Sequence, residues 1–205
     1  MFRTKLKEMA KEQIKGNLPM LFLISLVNYA IVVSLNLFGY GGLIYERMDY
    51  GPSVGILFDL GSFIITPPLT LSICIIYLSL INSQKPDFMD IFIGFKSFGK
   101  AVLLNFLIFL FTVLWTFLFI IPGIIKGISY SQAFYIMAEN PEMTPLEAIN
   151  ESKRIMDGYK LEYFVLGLSF ILWILLAVAT CGIAFVYVAP YMSATYANFY
   201  KAVSK

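Results

Sequence analysis

The sequence has no histidine, only two cysteines, and just 14% charged residues among its 205. Without histidine it lacks the commonest general base, the commonest metal ligand and the usual pH switch. Cys74 and Cys181 fall in or at the edge of apolar stretches that the topology below directs toward opposite membrane faces, too far apart for a disulfide. Metal-ligand spacings are missing, as are Walker, GxGxxG and GxSxG patterns. Neither paired-acid nor nucleophile–base chemistry has its parts, so an enzyme is not expected, nor is a cofactor. The six acidic residues between Glu139 and Glu162 fall in or beside a solvated helix. No nucleic-acid partner is expected.

What the chain has instead is hydrocarbon, with 59% of its residues apolar. Stretches of about 20 apolar residues recur, the length that crosses a core of roughly 30 Å. The expected fold is all-α: a polytopic membrane protein with six transmembrane helices near 18–38, 54–81, 101–121, 123–139, 161–180 and 183–200. The first run is too long for a signal-peptide core and has no small-residue cleavage site, so it reads as a retained span.

Charge placement favours six spans over five. Basic residues are retained on the cytoplasmic side. Arg3, Lys5, Lys7, Lys11, Lys15, Lys85, Lys96, Lys100, Lys153, Arg154, Lys160, Lys201 and Lys205 then lie inside, 13 of 15, with both termini cytoplasmic. Arg47 and Lys126 lie toward the outside. If 123–139 lay along the surface, the cluster Lys153, Arg154 and Lys160 would be placed outside, against the rule.

Ahead of each odd-numbered span sits a cytoplasmic amphipathic segment ending in glycine. "MFRTKLKEMAKEQIKG" has Phe2, Leu6, Met9 and Gln13 on one helical face. "PDFMDIFIGFKSFG" gathers Phe88, Ile91, Phe92 and Phe95. "TPLEAINESKRIMDG" carries a capping box, with Thr144 as N-cap and Glu147 as its partner, and Pro145 at the first helical position. Gly16, Gly99 and Gly158 are expected as left-handed residues closing the three helices. The second span of each pair holds proline: Pro67 and Pro68, Pro122, and Pro190. The single membrane domain, 1–205, thus divides into pseudo-repeat units 1–84, 85–139 and 140–205, each an amphipathic helix followed by a hairpin of two spans. Interfacial helices between spans are common in membrane proteins and form the competing explanation.

Ionisable side chains inside spans are functional candidates. Asp59 and Lys126 lie roughly 8 and 6 Å from the outer ends of their spans, at nearly one level. Two readings of Lys126 stand: an ion pair with Asp59, or snorkelling to the outer headgroups. Pro122 and Gly123 are expected as the tight outer turn before it. Tyr130 in the fourth span, and Tyr187 and Tyr191 sharing a face of the sixth, complete a candidate intramembrane polar site. Such stripes glue helices or line an aqueous path. "ITPPLT" reads either as a proline kink or as a broken helix of the transporter kind.

"IIPGIIKGISYSQAFYIMAENPEMTPLEAINESKRIMDGYK", with "LSFILWILLA" and "APYMSATYANFY", resembles a bacterial membrane-protein family, domain-of-unknown-function family 975, over essentially the whole chain. One departure is Tyr196, where that pattern places a histidine, so no role for a histidine carries over. The family also looks similar to the membrane domains attached to some glycerophosphodiester phosphodiesterases; the catalytic domain has no counterpart here. The resemblance implies a multi-pass protein of the bacterial plasma membrane and no particular reaction.

Function is expected to be non-enzymatic: a scaffold, a complex subunit, or an envelope-stress or immunity factor. Its partners would be the bilayer, anionic headgroups on the cytoplasmic face, and a membrane protein or a second copy of the chain. The alternative is a transporter of a small solute, ion or lipid using Asp59 and Lys126.

Overall fold

The computed structural model describes residues 2–39, 52–180 and 184–204, with side chains described at 2–35, 60–180 and 184–204. Among these residues the structure is helical throughout, without a strand. In chain order the helices are α1 (Phe2–Ile14), α2 (Leu18–Gly39), α3 (Pro52–Ile81), a 3₁₀ segment (Phe88–Ser97), α4 (Phe98–Leu118), α5 (Ile120–Tyr130), α6 (Ala133–Glu139), α7 (Pro145–Ile155), α8 (Lys160–Leu168), α9 (Ile171–Ala179) and α10 (Phe185–Val203). Helices dominate because a chain this apolar must satisfy every backbone donor and acceptor within its own segment.

Among the described residues, four helical stretches are long and apolar enough to cross a membrane: Leu18–Leu35, Leu60–Ile81, Phe88–Leu118 and Lys160–Ala179. The expected fourth span, 123–139, is α5 and α6 with a break at Ser131–Gln132. The fifth breaks at Ser169–Phe170, between α8 and α9. The last helix, α10, is more polar and is held inside the bundle: Val188, Tyr191, Ala194, Ala197, Asn198 and Phe199 are all buried. A helix sheathed by other helices can carry hydroxyls and amides that a lipid-facing helix cannot. α3 stays continuous through Pro67 and Pro68; the Thr70 hydroxyl donates to the Thr66 carbonyl at 3.0 Å and Ser72 to that of Pro68 at 3.0 Å.

The three segments that precede the odd spans dock on the bundle rather than standing off it. α1 buries Leu6, Ala10 and Ile14 and leaves Lys5, Glu8 and Glu12 exposed, packing on α10. The 3₁₀ segment packs on α3, burying Ile91 and Gly94. α7 packs on α4, α5 and α6, burying Ala148, Ile149 and Ser152. Each segment therefore lies on the helix that ends the preceding stretch of chain, and α1 lies on the helix that ends the last.

Local details follow sequence chemistry in some places and depart from it in others. The α7 capping box forms as expected, with the Thr144 hydroxyl accepting from Glu147 N–H and Pro145 inside the first turn. Of the three glycines expected to be left-handed, only Gly158 is, at φ 79°. Gly99 lies inside α4, because the 3₁₀ segment continues straight into that helix. Gly16 sits in a right-handed turn closed by Asn17 N–H donating to the Ile14 carbonyl at 3.0 Å. The segment at 88–97 is 3₁₀ instead of α. The expected turn at Pro122–Gly123 is instead a single extended residue, Phe119 (φ −157°, ψ 138°), and both Pro122 and Gly123 belong to α5. Gly123 matters for packing instead, since a Cβ there would collide with Thr116 and hold α5 away from α4.

Candidate functional site

The side chains singled out in the sequence occupy three separate surroundings. Lys126, on α5, is partly exposed, and its Nζ stands 4.6 Å from the centre of the Trp115 ring on α4. A partly exposed cation over an aromatic face is an electrostatic contact of about 0.5–1 kcal/mol. The side chain of Asp59 lies outside the described residues, and so does the expected pair; Cys181 lies outside them as well. Tyr130 is 2% exposed, packs on Phe111 with centroids 6.3 Å apart, and has Lys153 Nζ 5.6 Å from its ring. Tyr187 and Tyr191 do sit together, at 5.6 Å, both against Trp173 of α9.

A fourth group is centred on the bundle. The Tyr135 hydroxyl lies near those of Tyr77, Tyr163 and Tyr196 and near the Cys74 thiol. Tyr163 and Tyr196 pack at 5.3 Å, and Tyr135 stacks on Tyr200 at 5.5 Å. Tyr200 in turn donates to Glu139 Oε2 at 2.5 Å, and Lys201 bonds the other oxygen of that carboxylate. Tyr77 and Tyr135 each stand one helical turn before the ends of their helices, at Ile81 and Glu139. That repeated placement was the available sequence signal; hydropathy conceals it, because tyrosine scores close to neutral wherever it points.

Each docking segment is fixed by a specific polar contact. Gln13 and Asn198 exchange two amide hydrogen bonds, at 3.1 and 2.6 Å. Gly94 N–H donates to the Ser72 hydroxyl at 2.8 Å, at a spot where a Cβ would strike the Pro68 carbonyl. The Ser152 hydroxyl donates to the Ser129 carbonyl at 2.7 Å and accepts from Gln132 N–H at 3.2 Å, satisfying backbone groups released where α5 ends. The other break has a similar partner: Lys7 Nζ reaches the Ser169 carbonyl at 3.4 Å and lies 4.3 Å over the Phe170 ring. Burial, with Lys11 and Arg3 nearby, lowers the Lys7 pKa. Arg3 pairs with Glu162 at 3.2 Å.

Some buried polar atoms have no partner among the described residues: Asn28 Oδ1, the Tyr77 hydroxyl, Thr112 Oγ1 and Gln132 Oε1. No group of three His, Cys, Asp or Glu able to hold a metal occurs among the described residues. The chemistry on offer is hydrogen bonding by hydroxyls and amides within an aromatic frame.

The family model described as "Protein of unknown function (DUF975)" matches residues 1–129 and 118–205. The chain belongs to this family. No curated protein and no solved structure matches the chain, so the likeness to phosphodiesterase membrane domains gains no support from them. Family membership brings no residue roles, and the roles of the tyrosine cluster and the docking contacts rest on geometry.

Proposed function

We propose that the protein is a multi-pass protein of the bacterial plasma membrane with six spans, both termini cytoplasmic, that works non-enzymatically as a scaffold or complex subunit, envelope-stress and immunity roles included. One observation carries this reading: three segments are pinned to the bundle by polar contacts while each keeps charged side chains exposed, Lys5, Glu8 and Glu12 on the first, Lys96 on the second, Glu147 and Arg154 on the third. Such a layer is a rigid platform, pre-organised for anionic headgroups or a protein partner. The docking order suits three units, 1–84, 85–139 and 140–205, that close on one another in a ring.

A photo-crosslinker placed at Asn150 or Arg154, both exposed on α7, tests the platform in native membranes. A discrete protein adduct supports it. Failure to form one, together with solute flux in proteoliposomes, sinks it. The second reading, a transporter, draws on one feature: the helix break at Ser131–Gln132 beside the unpartnered Gln132 Oε1 and the tyrosine cluster. Broken helices commonly form transport sites in membranes. Flux that is lost in Gln132→Leu and retained in Asn150→Ala would favour it.

A further inference from the structure

Between α2, α9 and α10 lies a cavity of about 580 Å³, within the range that holds a ligand of moderate size. Most of its wall is apolar, including Phe22, Leu26, Val178 and Phe185. Polar groups interrupt that wall at Ser25, Asn28 and Ser193, with the Tyr29 ring and hydroxyl also on it. Immediately behind it, the hydroxyl of Tyr77, 1% exposed, stands beside those of Ser25 and Ser193. Two atoms there are buried without a well-formed hydrogen bond: Asn28 Oδ1, and the Tyr77 hydroxyl, which has only the Ser25 and Ser193 hydroxyls beside it. A buried polar atom without a partner costs about 1–3 kcal/mol, so two beside one cavity point to something that completes them.

The occupant's chemistry follows from the wall. No charged residue lines the cavity, so a phosphate or ammonium would have no counter-charge at this depth. Ser25 stands seven residues into α2, roughly 10 Å along its axis, within a stretch long and apolar enough to cross a membrane. Asn28 Oδ1 needs a donor, and the Tyr77 hydroxyl has a proton to give to an acceptor. One molecule that supplies both is a neutral lipid with a free hydroxyl near an ester carbonyl. We propose that this cavity binds a neutral glyceride of the diacylglycerol type: its hydroxyl donates to Asn28, its carbonyl accepts from the Tyr77–Ser25–Ser193 group, and an acyl chain lies along Leu26 and Val178.

The full chain in phosphatidylcholine liposomes, doped with a photoactivatable diacylglycerol, tests this. Adducts should concentrate on peptides spanning 22–29 and 185–193. Unlabelled diacylglycerol should compete about fivefold better than its methyl-ether-capped analogue, the worth of about one hydrogen bond. Asn28→Leu should erase that difference. Val178→Trp, at a position 69% exposed and therefore harmless to folding, should block labelling by filling the cavity mouth. Adducts spread equally over the exposed α4 residues Phe106, Phe109 and Phe117 would overturn the proposal. So would equal competition by the capped analogue, or full labelling of Val178→Trp.

Discussion

α3 and α4 are both apolar enough to span a bilayer, yet they live in different surroundings. In the 18-residue apolar window of 60–81, 56% of the residues are buried within the protein; in that of 88–118 only 11% are. α3 meets α2, α4, α6, α10 and the 3₁₀ segment, and carries Ser72, Cys74 and Tyr77 into the interior. α4 shows Phe106, Phe109, Leu114 and Phe117 outward, the last 92% exposed. Such a face is tolerable only against lipid, where leucine and phenylalanine gain nothing by turning inward. Hydropathy registers both helices alike because hydrocarbon and protein interior are equally dry. What separates them is the small and polar residues through which α3 is held by its neighbours.

Several substitutions break or sharpen that contrast. The largest effect is expected at Gly94, where the 3₁₀ segment meets α3. Gly94→Ala forces a methyl against backbone and should cost about 3 kcal/mol, read as a lowered melting temperature in detergent. Phe117→Ala on α4 should leave that temperature nearly unchanged; an equal loss would mean that the outward face of α4 is covered. Ser152→Ala removes both a donor and an acceptor from the α5–α6 break. A loss of about 2 kcal/mol is expected, with faster amide exchange at Gln132. Asn198→Ala should cost about 1 kcal/mol, and a double-mutant cycle with Gln13→Ala should show that the two share one interaction.

The α7 cap gives a pH test. Hydrogen bonds from the Thr144 backbone N–H and hydroxyl hold the Glu147 carboxyl below its usual range. A depressed folded pKa contributes stability above the unfolded carboxylate range, and that contribution is lost as pH falls through the folded value. Acid titration of α7 helicity should therefore show a step that Glu147→Gln abolishes. A small loss, about 0.5 kcal/mol, is expected at Lys126→Met, accompanied by altered Trp115 fluorescence. An unchanged emission spectrum would separate the lysine from that ring.

Legibility from sequence followed the range of the forces involved. The Thr144–Glu147 cap with Pro145 was readable because its parts lie within one helical turn. The long apolar helices were readable because length and composition suffice. The reversal at Phe119 was not, since proline and glycine outweigh phenylalanine in any local rule while the close approach of Gly123 to Thr116 is a tertiary fact. The α1 face was expected at Phe2, Leu6, Met9 and Gln13, but the buried set is Leu6, Ala10 and Ile14 with Phe2 and Met9 exposed, because the position of α10, a tertiary fact, decides which side of the helix is covered. Likewise Lys126 announced a need for a partner, and Trp115 answers on the adjacent helix through a contact with no spacing rule.

The docking of α1 on α10 sets a schedule for assembly. The bond between Gln13 and Asn198 joins residues 185 positions apart, and synthesis proceeds from the N-terminus at about 5–20 residues per second. α1 must therefore wait for the roughly 185 residues that follow it before the surface it fits exists. During those seconds its stripe of Leu6, Ala10 and Ile14 lacks the cover that α10 later supplies. The same face is thus an open apolar stripe early and a protein seam later, joining two segments that synthesis holds far apart in time.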